Sequence, residues 1–182
     1  MTVPVPTGLS AVAVSPTEID ISWRDPPIIS YYVIYRDSQK LAPVFGATTS
    51  YHDTNLTPSK TYVYRVQALA AGGRASKKSS SKSATTPPPA PTNLVATAQP
   101  DGSIELTWTA STDPAVTNYN IYRGTDKTGM PTDPVMTIDG SSTNFNDPNL
   151  GFSTTYYYTV KAIDAAGTSA PSNVAYAQTG AG

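Results

Sequence analysis

Along short runs of this chain, apolar and polar side chains alternate with a period of two. In "EIDISW" (Glu18–Trp23), Ile19, Ile21 and Trp23 fall on one side and Glu18, Asp20 and Ser22 on the other. "SIELTW" (Ser103–Trp108) repeats the pattern with Ile104, Leu106 and Trp108. In "YVYRVQA" (Tyr62–Ala68), Tyr62, Tyr64, Val66 and Ala68 share a face opposite Val63, Arg65 and Gln67. Successive side chains of an extended strand point to opposite faces, so each run predicts a strand with one buried side. Turn-forming clusters, "RDPP", "AAGG", "QPDG" and "DAAG", bound the runs. Many short, evenly punctuated strands predict an all-β antiparallel sandwich with no helix of consequence.

The pattern is written twice. Leu9 and Trp23 lie fourteen residues apart, as do Leu94 and Trp108. "YVIYR" (Tyr32–Arg36) returns as "YNIYR" (Tyr119–Arg123), and "YHDTNL" (Tyr51–Leu56) as "FNDPNL" (Phe145–Leu150). "LTPSKTYVYRV" (Leu56–Val66) returns as "LGFSTTYYYTV" (Leu150–Val160). The offset grows from 85 through 87 to 94 while the landmarks keep their order, so the second copy carries loop insertions, the largest between Arg123 and Phe145. Pro87, Pro88 and Pro89 favour a semi-rigid polyproline spacer. The expected domains are therefore 1–87 and 88–182, with a proline linker at about 85–91.

These landmarks resemble the fibronectin type III family over nearly the whole chain. Leu56, Pro58 and Tyr62, ahead of Tyr64, Val66 and Ala68, resemble its tyrosine corner and sixth strand, and Leu150, Tyr156, Tyr158, Val160 and Ala162 match in the second copy. Trp23 and Trp108 match the second-strand tryptophan. Tyr32 with Ile34, and Tyr119 with Ile121, match the third strand. The resemblance implies two tandem seven-stranded immunoglobulin-like sandwiches. It assigns Leu56, Tyr62, Leu150 and Tyr156 to the corners, and Trp23, Trp108, Ile34, Ile121, Tyr64 and Tyr158 to the cores. Gly151 and Phe152 depart from the usual Leu-x-Pro, so the second corner is expected to turn differently. The resemblance also implies a non-catalytic extracellular or cell-surface module. "YNIYRG" and "GTSAPSN" look like modules appended to secreted polysaccharide-degrading enzymes and surface proteins of bacteria and archaea. The expected partner is then protein: a parent polypeptide, a surface partner or another copy. A filament or surface-layer subunit and a polysaccharide-binding module are the alternatives.

Composition narrows the chemistry. The 182 residues include no Cys and one His, which excludes disulfides, thiolate metal sites and a Cys nucleophile. No apolar run approaches the roughly 20 residues a membrane helix needs, and "MTVPVPTGLS" has no basic, apolar leader. No membrane insertion, cofactor, metal or catalytic constellation is expected. His52 next to Asp53 would need a nucleophile turn, and no G-x-S-x-G is present. His52 is read as outward-facing, and Glu18 with Asp20 as a solvated sheet face. Asp126, Asp133, Asp139 and Asp147 follow no D-x-D-x-D-G pattern and read as loop-forming rather than calcium-binding. Asn55-Leu56-Thr57 is a glycosylation sequon, placed against a Leu expected to be buried.

Two surface features remain. By the alternation, Tyr35 and Tyr122 point outward from the third strand of each copy and Tyr157 from the sixth, so Tyr122 and Tyr157 are expected to share an outer face suited to sugar stacking or a protein partner. Residues 1–87 hold nine Lys and Arg against five carboxylates, a net +4, whereas residues 88–182 hold three against eight, a net −5. "RASKKSSSK" concentrates the positive charge as Arg74, Lys77, Lys78 and Lys82 on the expected last strand of the first copy, a candidate electrostatic contact. Nucleic acid is a poor partner for a chain whose net charge is −1.

Overall fold

A computed structural model describes residues 2–26 and 29–181. The turn expected at "RDPP" runs into Pro27, outside the described residues. Two compact units divide the chain, Met1–Pro87 and Pro88–Gly182. No helix forms among the described residues.

Among its described residues the first unit has seven strands: β1 (Thr7–Ser15), β2 (Glu18–Arg24), β3 (Tyr31–Arg36), β4 (Gln39–Phe45), β5 (Ser50–Asp53), β6 (Thr61–Leu69) and β7 (Lys82–Thr85). They pair antiparallel into sheets β1-β2-β5 and β4-β3-β6-β7. The second unit repeats this with β8 (Thr92–Ala98), β9 (Ile104–Thr109), β10 (Asn118–Gly124), β11 (Met136–Asp139), β12 (Asn144–Asp147) and β13 (Thr155–Asp164). Its seventh strand is split into β14 (Gly167–Thr168) and β15 (Ala175–Gln178), both paired to β13. The sheets are β12-β9-β8 and β11-β10-β13 with β14 and β15. The insertion between Arg123 and Phe145 thus contains the fourth strand, β11. It turns at Gly140, where a Cβ would stand 2.6 Å from the Val116 carbonyl oxygen.

Period-two alternation holds on the central strands. Ile19, Ile21 and Trp23 are buried on β2, and Tyr62, Tyr64, Val66 and Ala68 on β6. They join Tyr32, Ile34 and Leu56 in one core. Ile104, Leu106, Trp108, Tyr119, Ile121, Tyr158, Val160 and Ala162 build a separate core in the second unit. In each core the indole meets a third-strand tyrosine edge-on across the two sheets, Trp23 with Tyr32 at 5.1 Å and Trp108 with Tyr119 at 5.6 Å.

The seventh strand differs from the simple expectation. "RASKKSSSK" is not one strand, because regular pairing resumes only at Lys82. Ser76 and Ser79 are buried, and their hydroxyls accept the N–H groups of Ala68 and Val66 at 3.0 Å each. The second copy repeats the device with Ser169 serving Ala162 and Ser172 serving Val160. A hydroxyl replaces a carbonyl where the chain bulges away from its neighbour, so these sixth-strand N–H groups keep an acceptor. Lys77 and Lys78 sit between the two serines and project outward, where the second copy has Ala170 and Pro171. Pro171 fits there because the bulged residue has no ladder N–H to supply.

Candidate functional site: corners, polar networks and outer faces

Each unit builds a corner where the chain crosses between its sheets. The Tyr62 hydroxyl accepts the Thr57 N–H at 2.8 Å, and the Tyr156 hydroxyl accepts the Gly151 N–H at 3.0 Å, five residues upstream in both copies. Left-handed residues occupy matching places: Asn55 (φ 58°) and Ser59 (φ 54°) in the first corner, Asn149 (φ 58°) and Ser153 (φ 49°) in the second. The different turn expected from Gly151 and Phe152 is therefore not found. Asn tolerates the left-handed region because its short amide can bond locally. Leu56 is buried and Leu150 half-buried, while Phe152 is left exposed. A buried threonine ties down each corner from behind. Thr86 Oγ donates to the Thr57 carbonyl at 2.8 Å and accepts the Lys60 N–H at 3.1 Å. Thr179 does the same for the Gly151 carbonyl and the Thr154 N–H.

Removing the corner hydroxyl leaves one N–H without its partner. Tyr62→Phe should cost the first unit about 1–2 kcal/mol. Tyr156→Phe should cost less, since Tyr156 is half-buried where Tyr62 is buried. Denaturant midpoints of the two variants check the order. Unmoved midpoints would mean that these bonds contribute nothing net.

Behind each corner lies a charged network. Arg36 Nη1 donates to both Asp53 oxygens at 2.8 and 3.0 Å, and the Tyr64 hydroxyl donates to Asp53 Oδ2 at 2.7 Å. Arg123, Asp147 and Tyr158 repeat it at 2.8, 2.9 and 2.8 Å. Burial, then the hydrogen bond to the carboxylate, pushes the Tyr64 and Tyr158 hydroxyls well above the usual tyrosine range. Each guanidinium also lies over its corner ring, 5.5 Å from Tyr62 and 5.6 Å from Tyr156. The network clamps the third, fifth and sixth strands, and so both sheets, at one end of the core. Asp147 is thus a buried strand residue and not the loop former expected from sequence. Asp126 and Asp139 do cap turns, accepting the N–H groups of Thr128 and Ser141. The Ser141 hydroxyl and then its N–H hold the Asp139 carboxyl below the usual range, and the Thr128 N–H and then its hydroxyl do so for Asp126.

On the outer faces, Tyr122 overturns its expectation: it is 6% exposed and shares no open surface with Tyr157. The Lys161 ammonium stands 4.8 Å from the centre of its ring, and the inserted segment runs back alongside β10, Val135 donating to the Ile121 carbonyl. Tyr35 is half-buried. Its hydroxyl donates to Gln67 Oε1 at 2.9 Å, and Lys78 covers its ring at 3.6 Å. Tyr157 instead faces Tyr176, its direct cross-strand neighbour, with ring centres 5.7 Å apart. Tyr176 is 67% exposed. It lies on β15, outside the third and sixth strands to which the expected outward tyrosines belong.

His52 and Asp53 lie on opposite faces of β5, His52 exposed and Asp53 buried, so they form no catalytic dyad. His52 stands instead above β2. Its Nδ1 is 2.6 Å from Asp20 Oδ1 and 3.7 Å from Glu18 Oε1.

A family model, "Fibronectin type III domain", matches residues 4–85 and again 89–178. The chain belongs to the fibronectin type III family. Among curated relatives, it is 36% identical to Exoglucanase B of Cellulomonas fimi over 183 residues, covering 92% of this chain and 16% of that protein. It is 34% identical to Chitinase A1 of Niallia circulans over 191 residues, covering 97% of this chain and 26% of that protein. The chain thus spans about a sixth to a quarter of these relatives. A two-domain fibronectin type III segment of chicken tenascin superimposes with a TM-score of 0.58 at 21% identity, covering 96% of this chain and 99% of that one, which shows the shared fold.

Within the first fibronectin type III domain, Arg74, Lys77, Lys78 and Lys82 are all exposed. Three of them precede β7 and lie on the irregular segment that the buried serines anchor. Asn55 of the sequon is exposed and left-handed, directly before the buried Leu56.

Proposed function

We infer that the chain acts as a non-catalytic pair of fibronectin type III modules in a larger, secreted polysaccharide-degrading polypeptide, spacing its neighbours and offering a docking surface to them. What supports this reading is the mismatch of coverage: more than nine-tenths of this chain matches segments that make up only 16% and 26% of an exoglucanase and a chitinase. The proline run 87–89 favours a semi-rigid spacer, and each copy has a core of its own. The polar side chains that converge inside each domain, Arg36–Asp53–Tyr64 and Arg123–Asp147–Tyr158, are hydrogen-bonded to one another.

The test joins the chain to a glycoside hydrolase catalytic domain and measures hydrolysis of soluble and insoluble cellulose and chitin. A spacer raises activity on the insoluble polymers alone, and the free chain turns over neither. Turnover by the free chain would overturn the reading. Sedimentation of the free chain with the polymer would reassign it to polysaccharide binding, with Tyr157 and Tyr176 as the first residues to replace.

A second reading, head-to-tail self-association, is favoured by the charge division of +4 against −5. Such attraction is screened beyond about 8 Å at physiological salt. Light scattering at low salt should then show association that Lys77→Glu, Lys78→Glu and Lys82→Glu together abolish. A strictly monomeric native chain removes this second reading and leaves the first untouched.

A further inference from the structure

We propose that Glu18, Asp20 and His52 form a binding site for a divalent transition-metal ion of the Zn2+ class on the outer face of the β1-β2-β5 sheet. The three side chains are set by strand geometry rather than by a loop. Asp20 is the direct antiparallel partner of His52. Glu18 precedes Asp20 by two residues on β2, which puts both carboxylates on the same face. One ligand atom from each residue lies within 4.8 Å of the others.

The distances suit a small ion. With metal–ligand bonds of about 2.0–2.2 Å in a tetrahedron, neighbouring ligand atoms stand roughly 3.4 Å apart. The imidazole nitrogen is 3.7 Å from the Glu18 oxygen and 2.6 Å from the Asp20 oxygen. The Glu18 oxygen is thus near the required spacing, and the Asp20 carboxylate, now in direct hydrogen-bond contact with the imidazole, must turn away from it to admit an ion. One nitrogen and two carboxylate oxygens leave a fourth position for water, the arrangement of open zinc sites. The imidazole selects borderline metals such as Zn2+ over Ca2+ and Mg2+, which take oxygen ligands. All three side chains reach solvent, at 35% exposure for Glu18, 42% for Asp20 and 68% for His52, so an ion needs no opening of the fold to enter.

The internal repeat shows that the fold does not demand this cluster. The second domain builds the same strand pair with Ser103, Glu105 and Asn146 in the equivalent places, Glu105 opposite Asn146. It retains a single charged ligand there and no imidazole. The three ligands in the first domain are therefore not a by-product of pairing these strands. Asp20 and His52 also share a shallow groove with the exposed Val12 and Val14 of β1.

The experiment titrates ZnCl2 into the full chain, made without a histidine tag, and follows heat and the imidazole resonances of His52 by NMR. Saturable binding of one ion, with the His52 signals shifted, is expected. His52→Asn and Glu18→Ser copy the second domain and lie on the surface, so both should fold with unchanged circular dichroism. Loss of an outer partner of a metal ligand typically costs 10–100-fold in affinity, so loss of His52 itself should cost at least about tenfold, and CaCl2 should not compete. Absence of saturable Zn2+ binding would overturn the proposal. So would binding that survives His52→Asn, or equal competition by Ca2+, which would mean nonspecific attraction to carboxylates.

Discussion

Asp53→Ala should destabilise the first domain by about 3–5 kcal/mol, and Asp147→Ala the second by a similar amount. Each carboxylate is almost wholly buried, with 5% and 6% side-chain exposure, and each accepts three hydrogen bonds, two from an arginine and one from a tyrosine. Truncation strands the tyrosine hydroxyl without an acceptor and leaves a guanidinium over an apolar core. The arginines retain about 30% exposure and regain some hydration, so the lower end of the range is the expected value. Removing both charges is less harmful than removing one, because the uncompensated ion is the main cost. The pair Arg36→Met with Asp53→Leu should thus lie closer to wild type than Asp53→Ala alone. Calorimetry on the three proteins decides the matter. If Asp53→Ala melts like wild type, the network is solvated and the clamp is not a source of stability.

This network marks where sequence reasoning stopped. The alternation placed Tyr64 and Tyr158 inward correctly, because period two fixes which side of a sheet a residue occupies. It does not say what a polar group on that side finds. Arg36, Asp53 and Tyr64 come from three strands, and only tertiary packing brings them together. A signal was nevertheless present. All three residue types recur at aligned positions in the second copy, as Arg123, Asp147 and Tyr158, and a charged pair repeated with a core tyrosine is a statement about the core. Tyr122 shows the complementary failure. It does leave the core side of β10, yet it is covered, because the length of Lys161 and the course of the inserted segment are not periodic properties. The serines of the seventh strand failed for a third reason: their spacing of three belongs to a bulge, which a search for period two passes over. His52 was read correctly as outward-facing. Its two carboxylate neighbours follow from register, which the repeat of "YHDTNL" did not supply.

Trp23→Ala should lower the stability of the first domain by about 3–5 kcal/mol and leave the second unmoved, and Trp108→Ala should do the reverse. Each indole is 5–6% exposed and belongs to its own core, Trp23 with Ile21, Tyr32 and Val66, and Trp108 with Leu106, Tyr119 and Val160. Truncation to Ala removes the edge-to-ring contact with Tyr32 or Tyr119 and opens a cavity between two sheets. Paired, hydrogen-bonded strands cannot easily close such a gap, because moving one strand inward would break its ladder on both sides. A domain of this size shifts its melting temperature by about 4–8 °C per kcal/mol, so even the smallest expected cost lowers one transition by more than about 10 °C. In a calorimetric scan of Trp23→Ala, the first domain should therefore melt well ahead of the second, and in Trp108→Ala the order should invert. The tryptophan that remains reports on the unmutated domain, so its fluorescence transition should coincide with the later melting event in each variant. Two transitions that fall together in either variant would mean that the cores are not independent and that the repeat is one cooperative unit.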